Sequence, residues 1–258
     1  MKSSLLLLLF DAVSFCIMAT FYGAAIGSGY LVYVELAEHI MLPLAAIASL
    51  VTGVLALILA VGAARLCLPR ISPGRHDLFK GKVFFSWAFH SILRRTLFAP
   101  GLKTVLFQFY TLRFLALRAL GARVAFGANM SSDVDILDPW LLSVETGATI
   151  GTRCLVAGHF IDRGQLVLGE VVIGEGTLLA AHVMVAPDVR VGKNCRVLVG
   201  VRLGVNVRIG DDVTVGGASN ISNDTTIASN ARLGSATFAH PGASIEGVTE
   251  ANAIVHAP

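Results

Sequence analysis

Charge is scarce in this chain. Only 14% of its 258 residues are Asp, Glu, Lys or Arg, roughly half the share of an ordinary globular domain. With 55% hydrophobic residues, that scarcity excludes intrinsic disorder, which needs low hydrophobicity and high net charge. Cysteine is scarce too: four residues, too few for a disulfide scaffold. Cys16, Cys67, Cys154 and Cys195 show no metal-ligand spacing and suit a reducing compartment. A net charge of +3 gives no reason to expect a nucleic-acid partner. A mean hydropathy of +0.73 is high for a chain that is soluble throughout.

The averages conceal three segments. Residues 1–64 carry a net charge of −2, residues 65–123 a net of +10, and residues 124–258 a net of −5. In the first, Asp11 is the only charged residue between Leu5 and Val34, and none occurs between Ile40 and Ala64. Each stretch exceeds the roughly 20 apolar residues that cross a bilayer core. The expectation is a transmembrane helical hairpin over residues 1–70, with a cleaved leader as the disfavoured alternative for its first half. Asp11 reads as an interfacial residue near the start of the span or as a functional flag. Arg65, Arg70, Arg75, Lys80 and Lys82 follow the second stretch closely, so the positive-inside rule places this flank, both termini and the rest of the chain on the cytoplasmic side.

Residues 71–123 interleave bases with aromatics such as Phe84, Phe85, Trp87, Phe107 and Phe109, and Pro100–Gly101 divides them into two helices. Basic amphipathic helices of this kind lie against lipid headgroups, which makes membrane lipid a partner and argues against nucleic acid.

From residue 173 onward the chain repeats every six residues. Ile173, Leu179, Val185, Val191, Val197, Leu203, Ile209, Val215, Ile221, Ile227 and Leu233 are all branched aliphatics. The residue after each is small, Leu198 excepted, and the fourth after each is small or β-branched. The third after each is Gly, Asn, Asp, His or Ala, mostly types that tolerate left-handed backbone. Each hexapeptide is therefore a short strand and a tight corner, and three in succession make one triangular coil. The same phase runs through Val144, Ile150 and Val156, then breaks over residues 157–170, AGHFIDRGQLVLGE. The expectation is a mostly β solenoid over residues 124–258, with five to six coils between about Val124 and Val248.

This tandem pattern resembles the hexapeptide-repeat acyltransferases, and the resemblance implies a left-handed parallel β-helix. The lead-in DPWLLSVETGATIG at 138–151 looks like the entry coil of membrane-associated acetyltransferases that modify sugars and polysaccharides. The membrane region followed by a solenoid is also similar to the C-terminal region of non-ribosomal peptide synthetases of the poly-lysine synthetase type. What the resemblance implies is acyl transfer from acetyl-CoA, without a metal, to a hydroxyl or amine of a membrane-associated acceptor. It further implies a homotrimer with its sites in the grooves between subunits, and a catalytic His beside an extended loop. His159 opens the phase-breaking segment and is the first candidate for general base, with Asp162 to orient it. His182 is the second candidate, although it occupies a corner position, and His240 is more remote. Cys195 reads as core. A zinc site would need three converging His ligands, which this spacing does not offer. Two further readings remain open: transfer of an acyl or aminoacyl group from a carrier protein, and a non-catalytic trimeric membrane scaffold.

Overall fold

The computed structural model describes residues 2–257, and side-chain environments from residue 8. Helices α1 (Lys2–Ala37) and α2 (Leu42–Leu66) form an antiparallel hairpin. Both are long and apolar enough to cross a membrane, and little of their surface is covered by protein. They meet through small residues: a Cβ at Gly29 would fall 2.7 Å from the Ser49 carbonyl oxygen, so only glycine permits this approach.

Three shorter helices follow: α3 (Gly81–Leu97), α4 (Leu102–Gln108) and α5 (Tyr110–Ala119). The break expected at Pro100–Gly101 is present. A second occurs at Phe109, whose extended backbone separates α4 from α5. These helices do not simply lie on a surface, because the inner face of α3 buries Phe84, Ile92, Leu93 and Leu97 against other parts of the chain. Tyr22 of α1 donates its hydroxyl to the Thr96 carbonyl of α3 at 2.8 Å.

The remainder is a parallel β-solenoid with three faces of seven strands each. All eleven corner residues from Gly176 to Ala236 have φ between +53° and +72°. Strands stack on those three hexapeptides away, with Arg196 opposite Thr214 and Val197 opposite Val215. The inward aliphatics form one continuous core in which Ile173, Leu179, Val197 and Ile221 are wholly buried. Each such side chain contributes about 1.5–3 kcal/mol. Inward polar residues are paired: Thr177 donates to the Gly192 carbonyl at 2.6 Å and accepts from the Cys195 amide at 3.0 Å.

The solenoid is longer than its period suggests. Val248 lies opposite Arg232, where the regular step would bring Glu250, and Ile254 lies opposite Phe238. A shortened corner throws these last strands out of phase with the repeat, and this hid the final coil.

Two other departures from the regular step matter more. In the first coil Val124 lies opposite Val144, although three hexapeptides would end at Leu142. The extra chain forms the 3-10 turn Pro139–Leu141. In the second coil Val144 pairs with Ile173, although three hexapeptides would end at Asp162. The added chain is a β-hairpin, His159–Asp162 with Gln165–Leu168, closed by Arg163 and Gly164 at φ +45° and +78°, as a two-residue hairpin turn requires. Both departures fall on the same corner of successive coils, so the turn and the root of the hairpin lie one above the other. The strand Gly74–Asp77, between α2 and α3, adds to the hairpin's outer edge with Arg75 opposite Val167.

Candidate active site

The stacked irregular corners bring Asp138 to His159. Their separation is 2.6 Å between Oδ2 and Nδ1. An ionised carboxylate only accepts hydrogen bonds, so Nδ1 is the donor here, and in the neutral form of the ring Nε2 is left as the base. The Asp138 side chain has no solvent exposure and that of His159 has 21%. Burying a carboxylate is costly unless its lone pairs are met. Here Gly158 N–H donates to Oδ2 at 2.9 Å and Trp87 Nε1–H donates to Oδ1 at 3.0 Å, in addition to the imidazole.

Trp87 comes from α3, outside the solenoid. Its ring stands edge-on to His159, with centroids 4.9 Å apart. A small second core of Phe84, Trp140, Leu141, Leu166 and Leu168 ties α3, the 3-10 turn and the hairpin together. On α3, burial pushes the Arg94 guanidinium below its ordinary value, and the nearby Asp138 carboxylate acts against that shift.

His159 and Phe160 border a groove of about 440 Å³ that runs along one solenoid face past Met184, Arg202 and Asn220 to Pro241. Arg202 is the only fixed charge in its lining among the described residues. The arrangement is thus an oriented imidazole at the edge of a largely apolar groove.

The other sequence candidates lie elsewhere. Asp162 sits three residues further along the hairpin strand, exposed at its turn end and opposite Gln165. Asp138 takes the place beside His159 that was expected of Asp162, because Nδ1 faces back toward the first coil. His182 is exposed at a corner with φ +60°, outside the groove lining. His240 is half-buried, stacked on His256 with centroids 4.5 Å apart. Cys195 lies in the interior, where burial pushes its thiol up. The sequence pattern offers Trp87 as one aromatic of the basic stretch and Asp138 as the first residue of the lead-in, but gives neither a role beside His159. The available signal was the DPW lead-in, together with a first coil longer than three hexapeptides.

The repeat region is a hexapeptide-repeat solenoid. No protein-family model matches the chain. It is similar to the delta-poly-L-ornithine synthetase of Acinetobacter baumannii, 29% identical over 128 residues, which is 50% of this chain. The chain spans only 9% of that relative's length. Among solved structures it is similar to PerB from Caulobacter crescentus in complex with CoA and GDP-perosamine, with 14% identity, 57% of this chain and 61% of that one covered, and a TM-score of 0.36. It is also similar to AntD, an N-acyltransferase from Bacillus cereus in complex with dTDP and coenzyme A, with 13% identity, 52% and 83% covered, and a TM-score of 0.42. A third is the acetyltransferase domain of PglB from Neisseria gonorrhoeae in complex with acetyl coenzyme A, with 13% identity, 57% and 60% covered, and a TM-score of 0.28. The fold assignment rests on the strand pairing and the six-residue period, independently of these likenesses.

Proposed function

We propose that the chain is a membrane-anchored acyltransferase that moves an acetyl or other acyl group from CoA to a hydroxyl or amine of a membrane-associated acceptor. The observation that carries this reading is the Asp138–His159 pair, set beside a groove and oriented by a buried carboxylate. His159 Nε2 takes the proton of the acceptor's O–H or N–H as that atom attacks the thioester carbonyl. The C–O or C–N bond forms, the tetrahedral intermediate collapses, the C–S bond breaks, and CoA leaves as its thiolate, which recovers the proton from the imidazolium. Asp138 holds the ring in the required tautomer and stabilises its positive charge. The groove along the solenoid face accommodates the donor, and a homotrimer would close it with a neighbouring subunit.

Helices α1 and α2 support the anchoring, since their exposed apolar side chains find their solvent in lipid. The basic residues after α2 favour a cytoplasmic solenoid. An acceptor held at the same membrane, such as a lipid-linked glycan precursor, gives the anchor its purpose. The match to a poly-ornithine synthetase favours a second reading, in which the thioester comes from a carrier protein and the product is an amide.

The test is transfer from radiolabelled acetyl-CoA to native membranes by the solubilised protein. His159→Ala should lower the rate by about 10²–10⁴. Full retention of transfer by that variant would overturn the assignment. Labelling of acceptor only when a charged carrier protein replaces acetyl-CoA would select the second reading.

A further inference from the structure

Where α2 meets the solenoid, the chain lines a second, partly open cavity of about 570 Å³. Trp140 and Leu141, from the turn that follows Asp138, form one wall. Three arginines, Arg65, Arg70 and Arg123, line it against a single acid, Glu170. Glu170 is already engaged by Arg123 at 3.3 Å and Arg190 at 3.8 Å. Arg65 and Arg70 form no ion pair among the described residues.

The seat of Arg65 is built into the backbone. Its guanidinium lies against Gly121, where a Cβ would fall 2.7 Å from its nitrogens, and Gly121 has a φ of +93°. Arg65 Nε is buried without an acceptor among the described residues, and so is Trp140 Nε1, on a residue only 8% exposed. Buried donors left unpaired are costly. The Arg65 guanidinium, which carries one of these donors, and that of Arg70 both lack an acidic partner among the described residues and call for a ligand rich in acceptors and negative in charge, and arginine suits phosphate oxygens geometrically.

The position of the cavity narrows the choice. Arg65 stands in the last turn of α2, and the next residue, Leu66, is an apolar side chain 76% exposed. The cavity therefore lies where the apolar span ends, at the depth of lipid phosphates.

We infer that this cavity seats the phosphate of an anionic membrane lipid, gripped by Arg65 and Arg70. The site rests on the reading of α1 and α2 as membrane-spanning. It does not depend on acyl transfer. Its occupant contacts the segment that carries Asp138, so it braces the turn on which the His159 pair is built.

The experiment follows the thermal unfolding midpoint of the whole protein in an uncharged detergent. It is titrated with phosphatidylglycerol, phosphatidylcholine or inorganic phosphate, since a ligand bound to the native state raises the midpoint. Phosphatidylglycerol should raise it more than phosphatidylcholine at equal concentration. The Arg65→Gln/Arg70→Gln variant should need roughly tenfold more lipid or above for the same rise. Arg70 is exposed, so Arg70→Gln alone carries the test if the double variant does not fold. An unchanged response in the variants, or an equal response to both lipids, would overturn the site. An equal, arginine-dependent rise with inorganic phosphate would overturn the lipid assignment. Alkaline carbonate extraction separates this inference from the reading beneath it. Release from membranes would refute the spanning helices and the lipid with them. Retention without an arginine-dependent response would refute this site alone.

Discussion

Trp87 donates its indole N–H to the carboxylate oxygen of Asp138 that does not face His159. One buried carboxylate is thus shared between helix α3 and the imidazole of the solenoid hairpin. Trp87 is accordingly a positioning residue. It fixes Asp138, and through it the ring, while Gly158 N–H secures the other oxygen. Trp87→Phe removes the donor and keeps most of the packing. The expected outcome is a fall in kcat of about tenfold, the size of one hydrogen bond to a charged group, with KM little changed. Steady-state kinetics with acetyl-CoA checks it. A loss confined to KM would show that Trp87 serves binding instead.

The two acids near His159 in sequence or in space should separate cleanly. Asp138→Asn leaves the shape but supplies an amide where the ring needs a charge acceptor. The transfer rate should fall by about 10²–10⁴. Asp162→Asn lies at the exposed turn of the hairpin and should leave the rate close to that of the unaltered protein. Parallel turnover assays on the two variants decide between them, and the reverse order of effects would restore Asp162 as the orienting residue.

The solenoid was legible because its rule is local. An aliphatic every sixth residue, with a left-handed corner three places on, specifies strand and bend without reference to distant chain. His159 was legible for the opposite reason, since it stands where the rule fails. Asp138 was not, because its role arises only when two irregular corners on successive coils are stacked. Trp87 is further still in sequence, 51 residues from Asp138, and its aromatic neighbours read as a lipid-facing pattern. The last coil escaped because a shortened corner broke the period. Periodicity shows what repeats; contacts between exceptions need the folded chain.

The corners make a stability prediction. Ala236 has a φ of +56° and is exposed, a conformation that costs an L-residue with a Cβ roughly 1–2 kcal/mol. Asparagine tolerates it better and already occupies the equivalent corner at Asn230, φ +65°. Ala236→Asn should raise the thermal unfolding midpoint. Ile221→Ala, at a wholly buried inward position, should lower stability by about 2–5 kcal/mol. Thermal unfolding of the solubilised protein measures both. A midpoint lowered by Ala236→Asn would show that Ala236 is retained for close packing and not merely tolerated.

The cysteines test burial and topology together. Cys154 and Cys195 lie inside the solenoid, where burial raises both thiols above their ordinary value. They are protonated and shielded at neutral pH, and a thiol reacts as its thiolate. Cys67 is exposed at the C-terminal end of α2. A membrane-impermeant maleimide should therefore label Cys67 in the solubilised protein, and reach Cys154 and Cys195 only after denaturation. In sealed vesicles the same reagent reports the side of the membrane. Labelling of Cys67 in inside-out vesicles, with protection in right-side-out ones, is the outcome expected of a cytoplasmic basic flank. The reverse pattern would place the solenoid, its groove and the Asp138–His159 pair on the outer side, away from cytoplasmic CoA, and the acyl donor would then have to be a different thioester.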